Sequence, residues 1–235
     1  VALGSTDDRA RSISSDGAVR GIGAKALTPE AVALLAPPAV EVPLRELLGR
    51  MAPIVESLLP FNARSFGAER LGNGAHPLRV EVDAWARMLD LPEVDIWLAG
   101  DVPTVCAPVE RVRPAVLLAS SAQSTPATRF AVARAMLLMA LSLTLPVRLS
   151  SADFAVALGA VLRQFEPMYR PEGADPAKLV DLSTRVTRSL PRELHAELTP
   201  YAVEVLSHGV KAADVVRAGA LEIGDRVALL ATGDV

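Results

Sequence analysis

Phe130 to Val147 is the longest apolar run of the chain and the feature that most restricts how it can fold. Its length approaches that of a short membrane span, but Arg134 lies inside it and Pro146 breaks it. An arginine near the centre of a span costs about 2.5–3.5 kcal/mol on insertion scales, and apolar runs of this size are more often core helices. The run therefore predicts a buried helix over about 125–143, apolar nearly all round, with amphipathic helices packed about it and no membrane insertion.

The flanking pattern supplies those neighbours. Thr28-Pro29-Glu30 places a cap before proline at a helix start, and the run ends before Pro37-Pro38. Leu44, Leu47, Leu48, Met51, Ile54, Val55 and Leu58 keep a helical period over 43–59, with Pro53 expected to kink or split the helix. A third helix is predicted over 76–91. The texture then turns β-like, with short apolar or β-branched runs at 94–98, 102–108 and 114–120 that predict a small sheet or meander of about three strands. After the central helix come predicted helices at 150–166, 175–189, 191–207 and 210–230. The class is α+β and helix-dominated, a small sheet followed by a central buried helix and packed helices. Residues 1–25, rich in Ser, Gly, Asp and Arg, read as a flexible arm or linker, and 26–235 as a single domain.

Composition removes several function classes. A net charge of −3 offers no broad basic field for a phosphate backbone, so nucleic acid is not an expected partner. One cysteine, Cys106, can form neither an internal disulfide nor a cysteine-rich zinc site, and it favours a reducing, cytoplasmic setting. The charged residues Asp7, Asp8, Arg9 and Arg11 occupy the place of a signal peptide's apolar segment. Arginine far outnumbers Lys25, Lys178 and Lys211, a bias typical of GC-rich bacterial coding, and the absence of an initiator Met is read as a piece of a longer protein, with removal by processing as the alternative.

The motifs that do occur lack their context. Gly17-Ala18-Val19-Arg20-Gly21-Ile22-Gly23 spells a dinucleotide-binding glycine loop, but no buried strand precedes it and neither Tyr169 nor Tyr201 has a lysine four residues on. His76, His195 and His208 are scattered, and none opens the His-Glu-x-x-His spacing that sets two imidazoles on one helical face. Glu193, His195 and Glu197 alternate, which on a helix turns them apart and predicts a solvated face; His76 before Pro77 reads as a helix-start residue. Neither a nucleophile elbow nor a phosphate-binding loop is present: Ser120 and Ser121 read as loop serines and Cys106 as a small buried hydrophobe.

Taken together, His76-Pro77-Leu78 through Trp85, Val94 to Leu98, Pro114 to Leu118, the helix from Thr128 to Leu138 and Gly224 to Leu230 resemble a domain at the end of large myxobacterial tetratricopeptide-repeat proteins. That resemblance covers most of the chain from about residue 40. The domain is in turn similar to a degenerate gluzincin metallopeptidase, in which a small sheet precedes a helix bearing His-Glu-x-x-His and a later helix supplies a Glu and, four residues on, an Asp. The resemblance implies that Arg134 and Leu138 stand at the two histidine positions, Ala135 at the general base, Leu221 at the third ligand and Asp225 at the supporting aspartate. Such a set holds no zinc and activates no water, so no metal or other cofactor is expected. It also implies a zincin-like architecture and a noncatalytic interaction or scaffold module that meets protein partners.

Arg134 on a buried helix needs a partner, and Asp225 or Glu222 is the expected one, with a side chain snorkelling to the surface beside Arg129 as the alternative. Two other readings stand beside the scaffold. One is a hydrolase assembled from dispersed residues, with Asp153, Glu166, Glu172 and His195 as candidates; the other is an oligomerisation or docking domain of undetermined oligomeric state.

Overall fold

Proline in the first turn, where its missing N–H costs no bond, starts helices at Pro29, Pro43, Pro126 and Pro176. A computed structural model of the chain describes residues 29–72, 76–100 and 104–232. The arm at 1–25, with its glycine loop, lies outside the described residues. Helix α1 spans Pro29–Leu35 and α2 Val42–Leu58, which runs through Pro53 without being split. Strand β1 is Glu69–Arg70, α3 is Arg79–Met88, and β2, β3 and β4 are Asp95–Ala99, Cys106–Glu110 and Ala115–Ala119. Then follow α4 (Pro126–Ala140), α5 (Thr144–Arg148), α6 (Ser151–Leu162), α7 (Pro176–Ser189), α8 (Arg192–Ser207) and α9 (Ala213–Thr232). The molecule is thus α+β and helix-dominated.

The small sheet expected, of about three strands, is present, with two features that sequence period did not reveal. Among the described residues it has four strands in the order β1-β2-β4-β3, the added β1 being too short for any sequence period to reveal. Its centre, β2 beside β4, is parallel, which places β3 at the far edge, antiparallel to β4. Alternation along the strands covers both faces. Ile96, Val116, Leu118 and Cys106 turn into the main core, while Ala99, Ala115, Leu117 and Val109 make a smaller cluster under Phe61 and Trp97.

Helix α4 is the centre of the main core, which extends in sequence from Val32 to Ala228. Thr125 caps it reciprocally with Thr128: the Thr125 side chain accepts from the Thr128 N–H, and the Thr125 N–H donates to the Thr128 hydroxyl at 2.8 Å. Nearly every residue from Ala131 to Met139 is buried, in accord with the apolar run. The run does not continue as one helix to 143, because Ser142 takes a left-handed conformation (φ 63°) and the chain restarts as α5. Gly49 on α2 passes this turn so closely that a Cβ there would lie 2.5 Å from the Ser142 hydroxyl oxygen and 3.0 Å from its Cβ, so a larger residue would force Ser142 to shift. No helix among the described residues is long and apolar enough to cross a membrane.

Candidate functional site

Arg134 and Leu138 are one turn apart on α4, and Leu221 and Asp225 are one turn apart on α9, so each pair shares a face. Gly224 lets the two helices close: a Cβ at that position would stand 3.2 Å from Arg134 Cγ and from Leu138. Across this contact Arg134 Nη1 donates to Asp225 Oδ1 at 3.1 Å. Of the two partners expected from the sequence Asp225 is the one engaged, since Glu222 is drawn to Arg226 on its own helix. Arg129 turns elsewhere and meets Glu81 at 3.1 Å. The pair is not sealed in the core, because the Arg134 side chain is 25 % exposed and that of Asp225 44 %. Ala135 faces the interior and is fully buried.

Arg134, Leu138 and Leu221 line the wall of a cleft of about 790 Å³. The cleft lies along the edge strand β3 and is bounded by the end of α2, by Phe61 and Phe66, and by α6 and α7. The two phenylalanine rings stack at 5.6 Å, giving it an apolar lip. Cys106 lies in the wall as a buried strand residue. Its burial pushes the thiol up to about 12, against the opposing pull of Arg134, so the sulfur is neutral and unreactive near neutral pH.

Charged groups ring this apolar surface. Asp153 accepts from the Ser150 hydroxyl and meets Lys178 Nζ at 3.3 Å; the serine bond first, and Lys178 with it, hold its carboxyl below the ordinary aspartate range. Arg148 Nη2 donates to Leu59 O at 2.6 Å and its Nη1 to Val109 O at 2.9 Å. Arg185 Nη2 donates to Leu58 O at 3.0 Å, and its Nη1 pairs with Asp181 at 3.5 Å. Two guanidiniums thus grip consecutive carbonyls at the C-terminus of α2, where cations suit the helix dipole. Sequence reading passed over both arginines, for the carbonyls that hold them are 89 and 127 residues away in the chain.

The residues considered for catalysis do not converge. Asp153 lies in the cleft, whereas Glu172 lines a separate small depression beside Tyr169 and Lys211. The Glu166 carboxylate accepts from the Met168 N–H at 3.3 Å. His195 departs from the solvated face expected of it: half-buried, it stacks on Phe165 at 4.7 Å with Nε2 3.0 Å from Gln164 O, while Glu197 pairs with Arg50. His76 lies in the turn three residues before α3 and does not start it, its Nδ1 accepting from the Leu78 N–H at 3.2 Å. His208 is 3.2 Å from Glu41. Among the described residues no three His, Cys, Asp or Glu side chains gather as a metal ion requires. Arg134, Leu138 and Leu221 offer a metal no lone pair it could use.

The half-exposed ion pair carries a modest expected effect. Arg134→Met keeps a stem against Gly224 and removes only the bond to Asp225, so the variant should lose about 1 kcal/mol or less in urea unfolding, and a double-mutant cycle with Asp225→Asn should give a coupling of that size. A loss above about 3 kcal/mol would mean a pair desolvated far beyond its exposure.

No protein family, no curated protein and no solved structure matches the chain.

Proposed function

We propose that this chain is a noncatalytic binding module of pseudo-peptidase type, a scaffold element of a larger bacterial protein that holds a protein partner in the cleft beside β3. One observation carries the reading: the wall of the cleft beside β3 presents an arginine tied to Asp225 at 3.1 Å, together with Leu138 and Leu221, at the positions where the resemblance calls for metal ligands. The ion pair ties α4 to α9 where a metal would have done so. A concave, largely apolar surface is suited to binding, and a neutral buried thiol is unsuited to nucleophilic attack.

The test is direct. The purified chain, incubated with zinc and then dialysed, should retain far less than one equivalent by metal analysis and should leave an unfolded protein substrate uncut. One retained equivalent accompanied by peptide cleavage would overturn the proposal.

A further inference from the structure

A second cavity, of about 450 Å³, lies between α1, the start of α2, the ends of α3 and α4, and α9. It shares no lining residue with the cleft beside β3. Three of its lining residues, Arg45, Asp90 and Ser142, are placed where the fold alone gains nothing from them.

Arg45 is half-buried, and its Nε is shut off from solvent without a hydrogen-bond partner. Among the described residues the rest of its guanidinium has no hydrogen bond or ion pair either. Burial pulls this guanidinium below its ordinary range, against the attraction of Glu46, whose carboxylate is bonded to Arg50 Nε at 3.2 Å. The charge also stands near the N-terminus of α2, the end of a helix that disfavours a cation.

Asp90 is its mirror image. It lies just past the end of α3, where the dipole disfavours a carboxylate, and among the described residues it too has no partner. The Leu91 N–H donates back to Ala86 O at 2.9 Å, closing the kind of helix end that usually takes glycine at the position Asp90 occupies, with φ 52°. Ser142 is held at φ 63°. Among the described residues these are the two that adopt left-handed backbone without being glycine, and both line this cavity. Such conformations cost free energy and gather where a ligand is held.

The remaining wall is mainly aliphatic, with Val32, Leu137, Leu141 and Val227 in it. The cavity therefore offers one unpaired cation and one unpaired carboxylate beside an apolar surface. An ion of either sign would satisfy one charge and leave the other bare. A molecule that carries both charges and an apolar group satisfies all three features.

We propose that this cavity binds a free α-amino acid with an apolar side chain, its carboxylate on Arg45, its ammonium group on Asp90 and its side chain against Leu137, Leu141 and Val227. The site is independent of the noncatalytic role proposed for the cleft beside β3.

Isothermal titration calorimetry with L-leucine and L-phenylalanine at millimolar concentration tests it. At least one should bind. Its amide, which lacks the carboxylate, and its N-acetyl derivative, which lacks the ammonium group, should each bind about tenfold more weakly or worse. Arg45→Met and Asp90→Gly should each weaken the amino acid by a similar factor. Neither should lower the melting temperature appreciably, because the first removes an unpaired charge and the second sets glycine at a left-handed position. Lost binding is then separable from lost folding. The amino acid should raise the melting temperature of the natural chain and leave that of both variants in place. Should Arg45→Met fail to fold, Asp90→Gly decides the matter. Binding of neither amino acid, equal binding of the amide or the N-acetyl derivative, or undiminished binding by either folded variant would rule the site out.

Discussion

Phe154→Ala should lower the stability of this chain by about 3–5 kcal/mol, the cost of deleting an aromatic ring from a packed core. Phe154 is fully buried in α6, a helix that packs on α7 and α9, and it heads the largest wholly enclosed side chains. Its removal takes away both transfer free energy and the dispersion contacts of the surrounding groups, which rotamer changes refill only in part. For a domain of this length the melting temperature should fall by roughly 10 °C or more. Leu34→Ala is the matched control, for Leu34 is 88 % exposed and its truncation should be close to neutral. Thermal and urea unfolding of both variants check the contrast; a Phe154→Ala loss under about 1 kcal/mol would mean that α6 is not a core helix.

The second large effect belongs to Glu56. This carboxylate is buried near the C-terminus of α2, where the helix dipole disfavours it, and it accepts from the Arg111 N–H at 3.0 and 3.1 Å and from the Val112 N–H at 3.0 Å. It thereby anchors the turn between β3 and β4 to the helix that closes one end of the cleft. Glu56→Leu orphans both donors and should cost about 2 kcal/mol at neutral pH, with Glu56→Gln recovering part of the loss because it keeps one acceptor.

A pH signature accompanies it. Desolvation pushes the Glu56 carboxyl above the ordinary glutamate range, against the backbone bonds from Val112 and Arg111 that pull it down. The native state therefore holds this proton more tightly than the unfolded chain. Between the ordinary glutamate range and the raised native value, the Glu56 contribution to stability falls as pH rises. The stability of the natural chain minus that of Glu56→Gln should decline through that window and level off above it. A difference that grows with pH would reverse the assignment and make the backbone bonds the dominant influence.

Glu56 also marks the limit of sequence reading. Amid Ile54, Val55 and Leu58 it looks like a solvated residue between apolar positions, and the two N–H groups that bury it lie 55 and 56 residues away. The same holds for Arg148 and Arg185, whose carbonyl partners come from a distant helix end. The left-handed Ser142 that divides α4 from α5 was hidden too, since nothing local demands φ > 0 at a serine there. By contrast, the boundaries of α7 and α8 fall within a residue of the expected 175–189 and 191–207, because Asp175-Pro176 and Pro191 punctuate the chain locally.

The candidate site divides in the same way. That Arg134 and Leu138 share a face follows from helical spacing, and that Arg134 needs a carboxylate follows from the apolar run around it. The choice of Asp225 over Glu222 depends on how α9 is rotated on α4, which Gly224 permits and packing sets.

Local patterns, read over one or two turns, were sufficient for the helices, the central buried segment, the α+β class and the lack of metal-binding letters at Arg134, Ala135 and Leu138. Only the packed molecule decided the parallel pairing of β2 with β4, the place of Pro108 on the edge strand β3, the half-exposed ion pair and the grip of Arg148 and Arg185 on the end of α2. The physical reason is range: hydrophobic period and capping act between neighbours in the chain. Desolvation, strand register and side-chain hydrogen bonds act between groups that only the tertiary fold brings together.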